Sequence, residues 1–216
     1  MAEKRKLRVM VSSTVYGVEE LLDRVYTLLT SYGYEVWMSH KGTVPVSSKL
    51  TAFESCLRAV ERCDLFLGII TTSYGTGEDP KDPTNLSITH QEILKAIELK
   101  KPRWLLAHEN VVFARALLNS LGFRGKSGRA KLTLKQNQVL TDLRILDLYE
   151  EATIDHERPH SVPLAERRGN WVQKFRSDYD GSIFVSAQFS RYQEAEEFIR
   201  ENFEGGQPIP EMEGAK

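Results

Sequence analysis

The chain has 216 residues, 41% of them hydrophobic and 27% charged, an ordinary balance for a water-soluble domain large enough to bury a sizeable core. Its 29 basic and 30 acidic residues leave a formal charge of -1, so overall charge gives no drive toward a polyanion and a nucleic-acid partner is not expected. No run approaches the ~18 apolar residues of a membrane span. The basic start, residues 1–6, is followed by an apolar stretch too short for a secretory leader and broken by Arg8, Ser12 and Ser13. Cys56 and Cys63, the only cysteines, share a helical stretch in which no bridge can form; they read as reduced core thiols of a cytoplasmic protein.

The first hundred residues alternate strand and helix. Residues 7–13 form a short β-rich run that turns at Tyr16-Gly17. Residues 18–32 carry Leu21, Leu22, Val25, Leu28, Leu29 and Tyr32 on one helical stripe, with Gly33 as the stop. A second strand is expected over 34–38, a loop over 39–48, and a second helix marked by Leu50, Phe53, Leu57 and Val60. Residues 64–71, Asp-Leu-Phe-Leu-Gly-Ile-Ile-Thr, are nearly all apolar, the pattern of a central parallel strand covered on both faces. A polar loop over 73–86 leads to a third helix over 88–100, ended by Pro102, and to a fourth strand over 104–107. Such repeated units predict an α/β fold: an open, doubly wound parallel sheet of five strands in the flavodoxin-like order 2-1-3-4-5.

After residue 108 the rhythm breaks. Helices are expected over 110–121 and 140–151, separated by a basic, glycine-containing stretch over 122–135 and followed by an irregular segment over 153–169. The last strand is expected at 182–188 and a closing helix at 192–203. Residues 109–181 then form a partly helical insertion within one domain spanning 1–204, and 205–216 a disordered tail. Arg115, Arg124, Lys126, Arg129, Lys131 and Lys135 meet no acidic residue between Asn110 and Thr141; a solvated loop is the ordinary reading, a hold for phosphate the functional one. His156 and His160 have loose metal-like spacing but no further Cys or His to complete a set, so no metal site is expected.

In open α/β sheets, ligands bind beyond the carboxyl ends of the strands where the strand order reverses, here between the first and third strands. Three segments converge there: the turn holding Ser12, Ser13 and Tyr16, the loop holding Ser73 and Tyr74, and the helix start leading to Glu92. Hydroxyls, glycines and a helix start suit phosphate or ribose, and tyrosines suit a base. The plain alternative is that Ser, Thr and Gly are what such turns contain. Trp37 ends the second strand near the same place and reads as core or as a stacking surface. Glu92 has two readings. Thr89-His90-Gln91-Glu92 fits a capping box, which makes the carboxylate structural. Its helical neighbours Ile88, Ala96 and Leu99 are apolar, however, which turns it inward, and a carboxylate there suits N-glycosidic cleavage, where positive charge develops on the ribose. Walker A, GxGxxG and GxSxG motifs are absent, which argues against common ATPases, Rossmann dehydrogenases and α/β hydrolases.

The succession Val9-Met10-Val11-Ser12-Ser13-Thr14, Gly33-Tyr34-Glu35-Val36-Trp37, Cys63-Asp64-Leu65-Phe66-Leu67-Gly68-Ile69-Ile70 and Tyr74-Gly75 resembles an uncharacterised family of signalling and defence domains, often found in front of NTPase or tetratricopeptide regions. That family is similar to TIR domains and to nucleoside 2-deoxyribosyltransferases. The resemblance spans residues 7 to about 107 and implies a catalytic Glu near the start of the helix after the third strand; Glu92, on a helix that runs into Leu99-Lys100-Lys101-Pro102, matches it. It also implies a nucleotide N-glycosidase acting on NAD or a related nucleotide as substrate, without a bound cofactor, working as a homo-oligomer or with an activating protein partner. Thr89 and His90 replace the Trp-Cys pair of many TIR domains, and only Glu78, Asp79 and Asp82 lie near the place of the transferases' second acidic residue. Many TIR-like domains are adaptors, so the alternative is a non-catalytic interaction or nucleotide-sensing module.

Overall fold

The computed structural model describes residues 5–75, 85–135, 139–153, 172–191, 194 and 197. Five parallel strands, β1 (Arg8–Ser13), β2 (Glu35–Met38), β3 (Leu65–Ile70), β4 (Arg103–His108) and β5 (Val172–Phe175), form one open sheet in the order β2-β1-β3-β4-β5. The expected fold class is the observed one. The helices are α1 (Glu19–Ser31), α2 (Ala52–Arg62), α3 (Ile88–Glu98), α4 (Glu109–Ser120), α5 (Gly125–Arg129), α6 (Arg144–Thr153) and α7 (Asp178–Phe189).

Strand alternation sorts the core into two layers. Val9 and Val11 of β1 and Leu65, Leu67 and Ile69 of β3 face α1 and α7. Met10, Phe66 and Ile70 point the other way, toward α2, α3, α4 and α6. Because both faces are covered, β3 is buried at every position, as its unbroken apolar run requires. Gly68 lies on the second face, where an added Cβ would fall 2.7 Å from Leu105 Cδ2 and 3.3 Å from Ile93 Cγ1. Its missing side chain lets α3 sit close to the sheet.

Local signals set the ends of these elements. Gly33 has φ +97 beyond α1, as its place after the stripe predicts. Thr51 and Glu54 form a reciprocal capping box at the start of α2. Asp64, just before β3, accepts from the Arg8 backbone amide at 2.8 Å and from the Arg8 and Arg5 guanidinium groups, pinning the entry of β3 to that of β1.

The last strand is the main departure. Residues 182–188 lie within α7, not in a strand, and β5 comes earlier, at Val172–Phe175. Ser177 and Asp180 open α7 with a capping box, Val185 and Phe189 stand one turn apart and enter the core, and Gly181 fits against Leu21 at a distance only glycine allows. A short run such as Ile183-Phe184-Val185 satisfies either period, and packing chose the helix. The insertion before β5 is therefore 109–171, not 109–181. The His156 and His160 pair, Glu78, Asp79 and Asp82, most of the expected closing helix and the tail fall outside the described residues. Among the described residues no helix is long and apolar enough to cross a membrane.

Candidate functional site

Ser12 and Gly68 are register partners on adjacent strands, on the sheet face that carries α3. Glu92 comes down onto this pair from α3. Ser12 Oγ donates to Glu92 Oε2 at 2.5 Å, and the Cys56 thiol of α2 hydrogen-bonds the same carboxyl. Three elements thus meet at one carboxyl group, beside the carboxyl ends of β1 and β3 where the strand order reverses. Glu92 is 4% exposed and Ser12 1%.

Electrostatics follow from that burial. No Lys, Arg or His among the described residues pairs with Glu92, so loss of water dominates and pushes its carboxyl up to about 7, with the Ser12 and Cys56 hydrogen bonds pulling the other way. Burial first, and Glu92 next to it, push the Cys56 thiol up to about 12. The thiol therefore stays neutral and inert as a nucleophile, serving as a weak donor. A carboxyl that titrates near neutrality can exchange a proton or hold a charge at the pH of a cell.

The capping role for Glu92 is ruled out. The cap of α3 is Ser87, whose Oγ accepts from the His90 amide at 3.4 Å, so the helix starts two residues earlier than the Thr89 box requires. Glu92 lies beyond the first turn and has no end-of-helix amide to satisfy.

The other expected residues separate. Ser13 points to the opposite sheet face from Ser12, by strand alternation, and donates to the Thr14 carbonyl at 2.8 Å. Tyr16 is 63% exposed in the turn after β1. Trp37 is core: it is buried among the second-layer side chains, and its Nε1 donates to Glu35. Ser73 takes part through its backbone, its carbonyl accepting from both Thr14 Oγ1 and Thr71 Oγ1 at 3.1 Å. The Thr14 and Thr71 hydroxyls also bond each other, and Gly75, at φ +86, packs where a Cβ would fall 2.8 Å from Thr14 Cγ2. These hydroxyls join the exit loops of β1 and β3 to one another.

Tyr74 is buried rather than presented for stacking. Its hydroxyl lies 2.8 Å from His90 Nδ1, and His90 Nε2 lies 2.9 Å from Glu151 Oε2 of α6. The Arg144 guanidinium covers the Tyr74 ring at 4.2 Å. This Tyr74–His90–Glu151 chain and the Cys56 contact to Glu92 escaped sequence reasoning. The partners lie far apart in the chain, and the one available hint was a buried-type Cys on the inward side of a helix.

The arrangement defines a flavodoxin-like α/β domain with an unpaired, near-neutral carboxyl at its switch point. Residues 8–138 match the family described as a domain of unknown function, DUF4062, and the chain belongs to that family. The match contains Ser12, Cys56 and Glu92. No curated protein matches the chain.

Proposed function

We propose that the chain is a TIR-like nucleotide N-glycosidase that cleaves the base–ribose bond of NAD or a related nucleotide, with Glu92 as the central carboxylate. The observation that carries this reading is the Glu92 carboxyl, buried at the switch point, bound by Ser12 and unmatched by any described cation. When the N-glycosidic bond breaks, its electron pair leaves with the base and positive charge develops on the ribose. A carboxylate in a low-dielectric site stabilises that charge far more than one in water. A carboxylate already paired with Lys or Arg has spent that attraction; Glu92 retains it. Water then bonds to the sugar carbon and gives up a proton, which Glu92 can accept.

Ser12 holds the carboxylate in place. Tyr16, exposed beyond β1, is the aromatic available to stack on a base. Ser73 shapes the exit loop of β3 through its carbonyl, while Trp37 and Tyr74 support the walls from within. The near-complete burial of Glu92 fits an enzyme that opens only on homo-oligomerisation or with a protein partner, as a signalling or defence role for NAD cleavage requires.

Incubation of concentrated protein with NAD and a panel of nucleosides, followed by chromatography, tests the reading. Release of nicotinamide or free base that disappears in Glu92→Gln is expected, and undiminished turnover in that variant refutes it. A second reading, a non-catalytic interaction or nucleotide-sensing module, has its own support in the Thr14, Thr71 and Gly75 contacts that join the two loops. Silence toward every substrate, persisting under forced oligomerisation, selects that reading.

A further inference from the structure

We propose that the insertion carries a second ligand site, independent of the Glu92 reading: an open cleft of about 470 Å³ between α5 and the start of α6 that takes a small molecule joining one oxyacid anion to a compact apolar body. The cleft has the volume of ordinary small-molecule sites, which run from about 300 to 1,000 Å³.

The basic stretch that forms it is solvated at Arg124, Lys126, Lys131 and Lys135 but not at Arg129. Arg129 is 2% exposed, and its Nη2 lies 2.5 Å from Asp147 and 2.7 Å from Glu150, both on α6. Arg115 of α4 reaches the same Glu150 at 3.1 Å. The stretch is folded onto the acidic side of α6, and the cleft opens beside that contact.

The sign of the ligand follows from which wall charges are already committed. Lys126, Arg129 and Arg144 line the cleft together with Asp142 and Asp147. Asp142 is occupied by Arg144, accepting from its backbone amide at 2.7 Å and from Nε and Nη2 at 3.0 and 2.7 Å. Asp147 is occupied by Arg129. Lys126, exposed on α5, makes no ion pair with any described residue, and the buried Arg129 Nε has no hydrogen-bond partner. The uncommitted charge is positive. Arg124, Lys131 and Lys135 belong to the same stretch but lie outside the lining. Leu132 and Leu143 provide apolar wall, and Thr133 also lines the cleft. One anionic group for Lys126 and one apolar body for the leucines complete the description. A phosphate ester and a carboxylic acid share this chemistry. A concave site on a chain of net charge -1 favours either over a nucleic-acid strand.

Isothermal titration of the full chain at fixed ionic strength, with phenyl phosphate and with phenylacetate as probes, decides the matter. One site per chain is expected for at least one anion, and the better of the two identifies the oxyacid. Benzyl alcohol should bind far more weakly. Lys126→Glu should weaken the preferred anion about tenfold, whereas Lys135→Glu, equally basic but outside the lining, should leave it within twofold. Lys126 and Lys135 are exposed and make no ion pair with any described residue, so both variants keep the fold. Equal weakening by the two variants, benzyl alcohol binding as well as the anions, or no heat from either anion at tens of millimolar would overturn the proposal. So would an oligonucleotide that binds much more tightly than phenyl phosphate.

Discussion

Replacing Glu92 by Gln removes one titration while keeping the side chain's shape, and the structure states what that titration does to stability. In the unfolded chain the carboxyl has its ordinary value of 4.5; in the fold, burial raises it to about 7. Between those values the native state holds a proton that the unfolded state has lost. The protonated group's contribution is therefore fully present below pH 4.5 and is lost as pH rises through about 7. At 1.36 kcal/mol per pKa unit the loss is about 3 kcal/mol. For a chain of this size each kcal/mol moves Tm by about 2–4 °C, so the wild-type protein should melt roughly 6–12 °C lower at pH 8.5 than its other groups alone dictate. Glu92→Gln should lack this component. The assay is denaturant and thermal unfolding of both proteins at a series of pH values, followed by circular dichroism. Every other ionisable group is present in both proteins and cancels in the difference. Parallel stability–pH curves for wild type and variant would show that Glu92 is not a buried acid, and the reasoning from unpaired burial would fail with it.

Other outcomes follow from single contacts. Ser12→Ala removes the hydrogen bond that lowers the Glu92 pKa, so the pH at which the stability loss is complete should move upward; a downward shift would contradict the geometry. If the proposed glycosidase reaction occurs, it needs ionised Glu92, and base release should rise with pH through about 7 in a rate–pH profile; a rate that falls across this range assigns Glu92 another role. Gly75→Ala forces a β-carbon into a left-handed backbone and against Thr14 Cγ2, and should cost on the order of 1–3 kcal/mol in urea unfolding. Phe189→Ala should cost about 3–5 kcal/mol by the same method, because the ring is fully buried against Tyr34 and Trp104; a cost under 1 kcal/mol would place α7 elsewhere.

The strands that build the site were legible because their signals are local. The run Leu65-Phe66-Leu67-Gly68-Ile69-Ile70 has no polar position to offer solvent, and only a doubly covered strand accommodates it. The inward side of α3 was readable in part: Glu92 and Ala96 are buried as their spacing predicts, but Leu99 is exposed and Ile88 half-buried, while Thr89, His90 and Ile93 complete the buried side. Where two local signals competed, sequence alone was no guide. Ser87 and Thr89 are both good caps, and Ser87 takes the role in the fold, which frees Glu92 from capping. Residues 182–188 fit strand or helix by period, and contact with Leu21 and the sheet selected the helix.

By itself, then, the sequence determined the order of elements, the two-sided burial of the sheet and the presence of a carboxylate near the switch point. These depend on periodicity and composition within segments of about ten residues. The tertiary structure decided what that carboxylate is: Ser12 from β1 and Cys56 from α2 reach it, no described cation does, and the Tyr74–His90–Glu151 chain turns to the other side of the same helix. A protonation state near neutrality belongs to the packing of three elements around one group. No segment taken alone contains the burial that creates it.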